Sequence, residues 1–104
     1  MASRSFSLAL AGGVRRRLSD VYADGVDGGS PANNIPYREL IIQTTGADTY
    51  IGDSGVTALN YGLEIGTTDS PKIGSFYTGP VKLSDLYAIT AAAPTTLHIL
   101  AIPF

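Results

Sequence analysis

Nowhere in this chain do apolar residues recur every three or four positions over the ten or more residues that a helix needs to declare itself. Short runs instead alternate apolar and polar side chains, and turn formers separate them. Ser5 to Ala11 sets Phe6, Leu8 and Leu10 against Ser5, Ser7 and Ala9, the pattern of a strand with one buried face. Gly12-Gly13 marks a turn. Val14 to Tyr22 alternates Val14, Arg16 and Leu18 against Arg15 and Arg17, which predicts either a hairpin partner for the first strand or an extended arm. Ala23 to Pro36 is built from Gly, Pro, Asp, Asn and Ser, and reads as a long loop, mobile or laid across a neighbouring subunit.

Tyr37 to Thr44 is apolar on both faces at Leu40-Ile41-Ile42, which predicts a central strand. After the turn Thr45 to Asp48, short strands are expected at Thr49 to Ile51, Val56 to Ala58 and Leu63 to Ile65. Gly66 to Gly79 reads as loop with one strand candidate at Ser75-Phe76-Tyr77. Val81 to Leu83, Leu86 to Ile89 and Leu97 to Ile102 supply the remaining apolar runs, and no internal repeat stands out. Strands at this spacing predict an all-β fold: a single antiparallel β-sandwich, jelly-roll-like, of about seven or eight short strands with long loops and an extended N-terminal arm. A chain of 104 residues makes one domain, with residues 1–35 as strand or arm and flexible loop and residues 36–104 as the sandwich core.

Charge narrows the partners. Only 15% of the residues are charged and the formal net charge is −2, so no basic field exists to hold nucleic acid. A surface so lightly charged favours cover by other chains. The absence of cysteine removes disulfides, thiolate metal sites and cysteine nucleophiles. No apolar run reaches the ~18–20 residues of a membrane-spanning helix. The segment Phe6 to Ala11 alternates like a strand and is shorter than the apolar core of a signal peptide.

Four clusters invite chemistry. Gly52-Asp53-Ser54-Gly55 spells the nucleophile tetrapeptide of trypsin-like proteases, but a serine nucleophile needs a histidine base, and the one histidine, His98, lies in an apolar strand. The tetrapeptide is expected to be a turn joining Tyr50-Ile51 to Val56. His98 without cysteines or further histidines makes a poor zinc site. Asp24 to Gly29 has the look of a calcium loop, yet Val26 occupies a ligand position and no glutamate closes it. Arg15-Arg16-Arg17 is the densest charge, suited to an acidic protein surface or to plain solvation of an edge strand. No phosphate-binding glycine motif and no glycosidase-like carboxylate pair occurs. No catalytic residue, cofactor or metal is therefore expected.

A longer string carries a resemblance. Phe6-Ser7-Leu8, Arg17-Leu18-Ser19-Asp20, Pro36 to Gln43, Tyr50 to Thr57, Tyr61-Gly62-Leu63, Leu83 to Ile89 and Leu97 to Ile102 together resemble small virion proteins of tailed bacteriophages. The resemblance spans nearly the whole chain, with the Gly/Pro-rich loop unmatched. It implies a non-enzymatic β-sandwich module that decorates or cements a capsid, bound to the major capsid protein and to copies of itself as a homotrimer at threefold positions. It further implies a place on the outer head surface after synthesis in the bacterial cytoplasm. A tail, neck or head-fibre base module is the second possibility, and a small hydrolase built on Ser54 the third. Contacts to a subunit or capsid are expected at Phe6, Leu8, Arg15, Arg16 and Arg17, and at Tyr22, Ile35, Tyr37 and Phe104. The arm expectation adds that loss of Met1 to Gly13 weakens attachment more than loss of Asp24 to Gly29.

Overall fold

A computed structural model describes residues 3–24, 30–67 and 80–104. Among the described residues the chain is mostly β, in two antiparallel sheets with one short α-helix. The strands are β1 (Arg4–Leu10), β2 (Arg16–Arg17), β3 (Glu39–Thr44), β4 (Thr49–Gly52), β5 (Leu63–Ile65), β6 (Tyr87–Thr90) and β7 (Thr95–Ile102). The helix, α1, spans Val21–Asp24. One sheet has the order β1-β7-β3 and the other β2-β6-β4-β5. The chain thus enters one sheet at β1, the other at β2, returns at β3, crosses again for β4, β5 and β6, and comes back at β7.

Alternation in the sequence becomes burial in the three-stranded sheet. Register sets Leu8 beside Leu97, with Thr44 on the far side, and Phe6 beside Ile99, with Ile42 on the far side. All six point inward and are buried. The outward rows are Ser7, His98 and Gln43, then Ser5, Leu100 and Ile41. In the second sheet Ile51, Ile65 and Ala88 face the same buried cluster, which also takes Leu18, Val21 and Leu83. Each fully buried Leu, Ile or Phe contributes about 1.5–3 kcal/mol before chain entropy is counted.

Several expectations are corrected. β1 pairs along its whole length with β7 and places Phe6, Leu8 and Leu10 in the core, so the N-terminus is a core strand rather than an arm. Deleting residues 1–13 would unfold the domain before it could test attachment. Residues 1–35 also share the core with residues 36–104, through Leu18 and Val21 as well as β1. β2 pairs with β6, not with β1. β3 lies at the edge of its sheet among the described residues, and β7 is the central strand. Val56 to Ala58 is no strand: Val56 is buried, and Thr57 and Asn60 exchange backbone hydrogen bonds across a tight turn. The strand candidate at Ser75 to Tyr77 lies outside the described residues.

A repeat missing from the sequence pattern becomes visible once the fold is known. Arg17-Leu18-Ser19-Asp20 and Lys82-Leu83-Ser84-Asp85 both make short 3-10 turns. In each, the aspartate Oδ2 accepts from the backbone N–H of the basic residue, at 3.2 Å for Asp20 and 3.0 Å for Asp85. Both leucines are fully buried, and the two turns pack side by side. The first follows β2 and the second precedes β6, the strand that pairs with β2.

Candidate functional site

The Gly52-Asp53-Ser54-Gly55 stretch ends β4. Asp53 makes it a turn: its Oδ1 accepts from Gly55 N–H at 2.8 Å and its carbonyl from Val56 N–H at 3.0 Å. Ser54 is exposed on that turn, on the four-stranded sheet, whereas His98 points outward from the three-stranded one. His98 has Ser7 and Gln43 as its cross-strand neighbours and is exposed. A base that faces solvent from the other sheet cannot take a proton from Ser54.

Beside the turn, where β4 ends and β6 begins, lies a cleft of about 520 Å³ lined by Ile51, Gly52, Asp53, Asn60, Tyr61, Gly62, Leu63, Asp85 and Leu86. Thr57 shapes its rim, because its Oγ1 accepts from Leu59 and Asn60 N–H at 3.2 and 3.0 Å. That turn lifts Leu59 into solvent at 97% exposure. Tyr61 stands against Tyr50 with ring centroids 4.7 Å apart and planes tilted by 50°, and its hydroxyl donates to Glu64 Oε1 at 3.5 Å. Partial burial, then the Glu64 and Asp48 carboxylates, push the Tyr50 phenol above its ordinary pKa. Among the described residues no group of three or more His, Cys, Asp or Glu side chains is placed to hold a metal ion. The acidic loop of residues 24–29 falls largely outside the described residues.

The three arginines have three different fates. Arg16 Nη1 donates to Ala9 O at 2.7 Å, and its guanidinium grips both carboxylate oxygens of Asp24 at 3.2 and 3.3 Å. Asp24 Oδ2 in turn accepts from Ala9 N–H at 3.5 Å. The pair caps the outer edge of β1 at Ala9, whose backbone would otherwise be open to another strand. Arg17 packs on Tyr87, its guanidinium carbon 5.0 Å from the ring centroid and Nε donating to the hydroxyl at 2.8 Å. Arg15 is exposed.

The other expected contact residues divide by burial. Phe6, Leu8 and Tyr37 are core residues and present no surface to a partner, which corrects their assignment. Tyr37 is fully buried with its hydroxyl donating to Asn33 O at 2.5 Å, and burial pushes its pKa up while Arg4 pulls it back. Alternation signals that a side chain is apolar and faces one way; it does not say whether its own core or a neighbour covers it. Ile35 is half-buried against the core, and Phe104 is 67% exposed. Arg15, Arg17 and Phe104 are thus the exposed members of the expected set.

Tyr22 is half-buried, edge-on to Phe6 with ring centroids 6.1 Å apart. Its hydroxyl is shielded from solvent without a hydrogen-bond partner among the described residues, and burial pushes its pKa up to about 12, with Tyr37 adding to the shift. An orphaned hydroxyl costs about 1–3 kcal/mol, so Tyr22→Phe is expected to raise the denaturant midpoint. The folded pKa lies above the unfolded value near 10, so the neutral phenol's contribution is whole below pH ~10 and lost as pH rises toward about 12. Urea melts of both proteins at neutral pH and across that alkaline window check this: a phenylalanine variant less stable at neutral pH, or one with the same alkaline decline, would contradict it.

The chain matches no family model, no curated protein and no solved structure. Among the described residues no helix is long and apolar enough to cross a membrane.

Proposed function

We propose that this chain is a non-enzymatic virion structural protein, a capsid cement or decoration protein whose two sheets form a single jelly-roll-like sandwich. The sheet order carries the proposal. Strands from the start and end of the chain lie side by side in both sheets, β1-β7-β3 over β2-β6-β4-β5, which follows the winding of a jelly roll, an architecture used in viral capsid domains. The resemblance of the motif string to tailed-phage virion proteins points the same way, while a fold alone assigns no function. The exposed Ser54 turn and the distant, solvent-facing His98 give hydrolysis no support.

In this proposal the chain binds the major capsid protein and copies of itself as a trimer at threefold positions on the outer head surface. Many weak copies acting together tie capsomers at high effective concentration. Arg15, Arg17 and Phe104 are the contact residues left accessible, and Arg17 is already engaged with Tyr87. The test is reconstruction of virions carrying the chain, with add-back to heads assembled without it. Density on the outer head and restored heat resistance are expected, and Arg15→Glu with Phe104→Ala is expected to lower occupancy about tenfold, roughly 1.4 kcal/mol, with the fold unchanged. Density confined to the tail, neck or baseplate would instead establish the second possibility, a tail, neck or head-fibre base module.

A further inference from the structure

The cleft at the junction of β4 and β6 has the composition of a ligand site and serves no part of the capsid proposal. We propose that it binds a small neutral saccharide, with Tyr61 as the stacking platform and Asn60, Asp53 and Asp85 as hydrogen-bonding groups. Binding there does not depend on a place on the capsid.

The aromatic platform comes first. Tyr61 is 44% exposed, yet it is no free rotor, because Tyr50 supports its ring and Glu64 holds its hydroxyl. A ring fixed in advance loses little freedom on binding, so more of the contact energy is realised. The face of a pyranose carries C–H groups that pack on such a ring, while the hydroxyl rim needs donors and acceptors around it. The cleft supplies both, since Ile51, Leu63 and Leu86 form its apolar wall and Asp53, Asn60 and Asp85 its polar one. Its volume of about 520 Å³ lies within the range of small-molecule sites.

Charge selects the class of sugar. Among the described residues, two carboxylates and no Lys, Arg or His line the cleft, so an anionic sugar or a phosphate ester meets repulsion without compensation. A diamine would be drawn to those carboxylates, but each has one oxygen committed to the backbone. Asp53 Oδ1 holds Gly55 N–H at 2.8 Å, and Asp85 Oδ2 holds Lys82 N–H at 3.0 Å. One oxygen remains on each, fixed in position and suited to a single sugar hydroxyl. The Asn60 side chain adds a donor and an acceptor at the rim.

The experiment is titration of the isotope-labelled full chain with lactose, maltose and N,N-diacetylchitobiose, followed by amide shifts in two-dimensional NMR spectra. Sialyllactose and putrescine serve as the anionic and cationic comparisons. At least one neutral sugar is expected to bind with millimolar affinity and to move amides of Asp53, Asn60 to Leu63, Asp85 and Leu86. Tyr61→Ala should weaken that binding about tenfold or more and Asn60→Ala about fivefold, whereas Tyr61→Phe keeps the ring and stays within about twofold. The unaltered spectrum outside the cleft establishes that each variant is folded. Absence of shifts with all three sugars overturns the proposal, as do shifts elsewhere on the surface, binding indifferent to Tyr61→Ala, or stronger binding of sialyllactose or putrescine at these amides.

Discussion

Gly12→Ala is expected to lower stability by about 3–5 kcal/mol, far more than one added methyl group costs at an ordinary surface turn. A Cβ on Gly12 would lie 1.8 Å from the Ala92 carbonyl oxygen and 2.5 Å from its carbon. These are backbone atoms of the β6–β7 connection, so no side chain can rotate out of the way. The turn after β1 must separate from that connection. With it goes the contact of Gly13 N–H to Thr90 Oγ1 at 3.4 Å, in a turn that already uses Gly13 at φ of 72°. Gly55→Ala is the control, because its Cβ meets only Asp53 Oδ1 at 3.4 Å and the change should stay within about 0.5 kcal/mol. Thermal and urea melts of the two variants would decide it; equal midpoints would show that the two loops are not in close contact.

Thr95→Val, nearly isosteric, is expected to cost about 2–4 kcal/mol, or roughly 10–20 °C in Tm for a domain of this size. Thr95 Oγ1 accepts from Gly46 N–H at 2.7 Å and Ala47 N–H at 3.1 Å, and lies 2.7 Å from Thr44 Oγ1. Thr44 gives its own proton to Ala47 O at 2.7 Å, so Thr95 is the donor between the two hydroxyls. Thr49 Oγ1 reaches Thr44 Oγ1 at 3.0 Å. All three threonines are buried, and together they tie β3 and β7 of one sheet to β4 of the other. Valine fills the volume but leaves two N–H groups without an acceptor and takes away one of the two hydroxyls that donate to Thr44, with Thr49 the one that remains, and a half-satisfied buried network costs more than its hydrogen-bond count implies. Thr95→Ser, which keeps the hydroxyl, should recover more than half of the loss in the same melts; a serine variant as weak as the valine one would mean that the methyl group, not the hydroxyl, is what matters.

Both predictions concern one end of the molecule, and neither residue drew notice in the sequence. Gly12 reads as half of a turn, and Thr95 lies just before the run from Leu97 that reads as the last strand. Their weight arises from contacts made more than 45 positions along the chain, Gly12 with Ala92 and Thr95 with Gly46. The candidate cleft is similar. The turn at Asp53 is legible, since Asp and Gly after a strand close a turn through the aspartate side chain, as Asp53 does. Asp85 joins it only because β6 lies beside β4. The Leu-Ser-Asp repeat, three residues behind a basic one, is too short to stand out in the sequence, and only the side-by-side packing of its two turns gives it meaning.

What each segment could become was written in its own residues. Period-two alternation marks β1 as a strand and chooses its buried face, Phe6 with Leu8, whereas β3 and β7 carry apolar residues on both faces and only the fold chose Leu40 with Ile42 and Leu97 with Ile99. Glycine and aspartate mark where the chain turns. These are local matters, decided by neighbours one or two residues away. Which strand lies beside which emerged only in three dimensions: β1 beside β7, β2 beside β6, and β3 at an edge among the described residues. A strand's hydrogen-bonding groups are the same backbone whatever its side chains, so pairing is settled by the packing of distant faces into one core. For the same reason Phe6, Leu8 and Tyr37 could be recognised as apolar from sequence, while only the closed core made them interior residues rather than an interface.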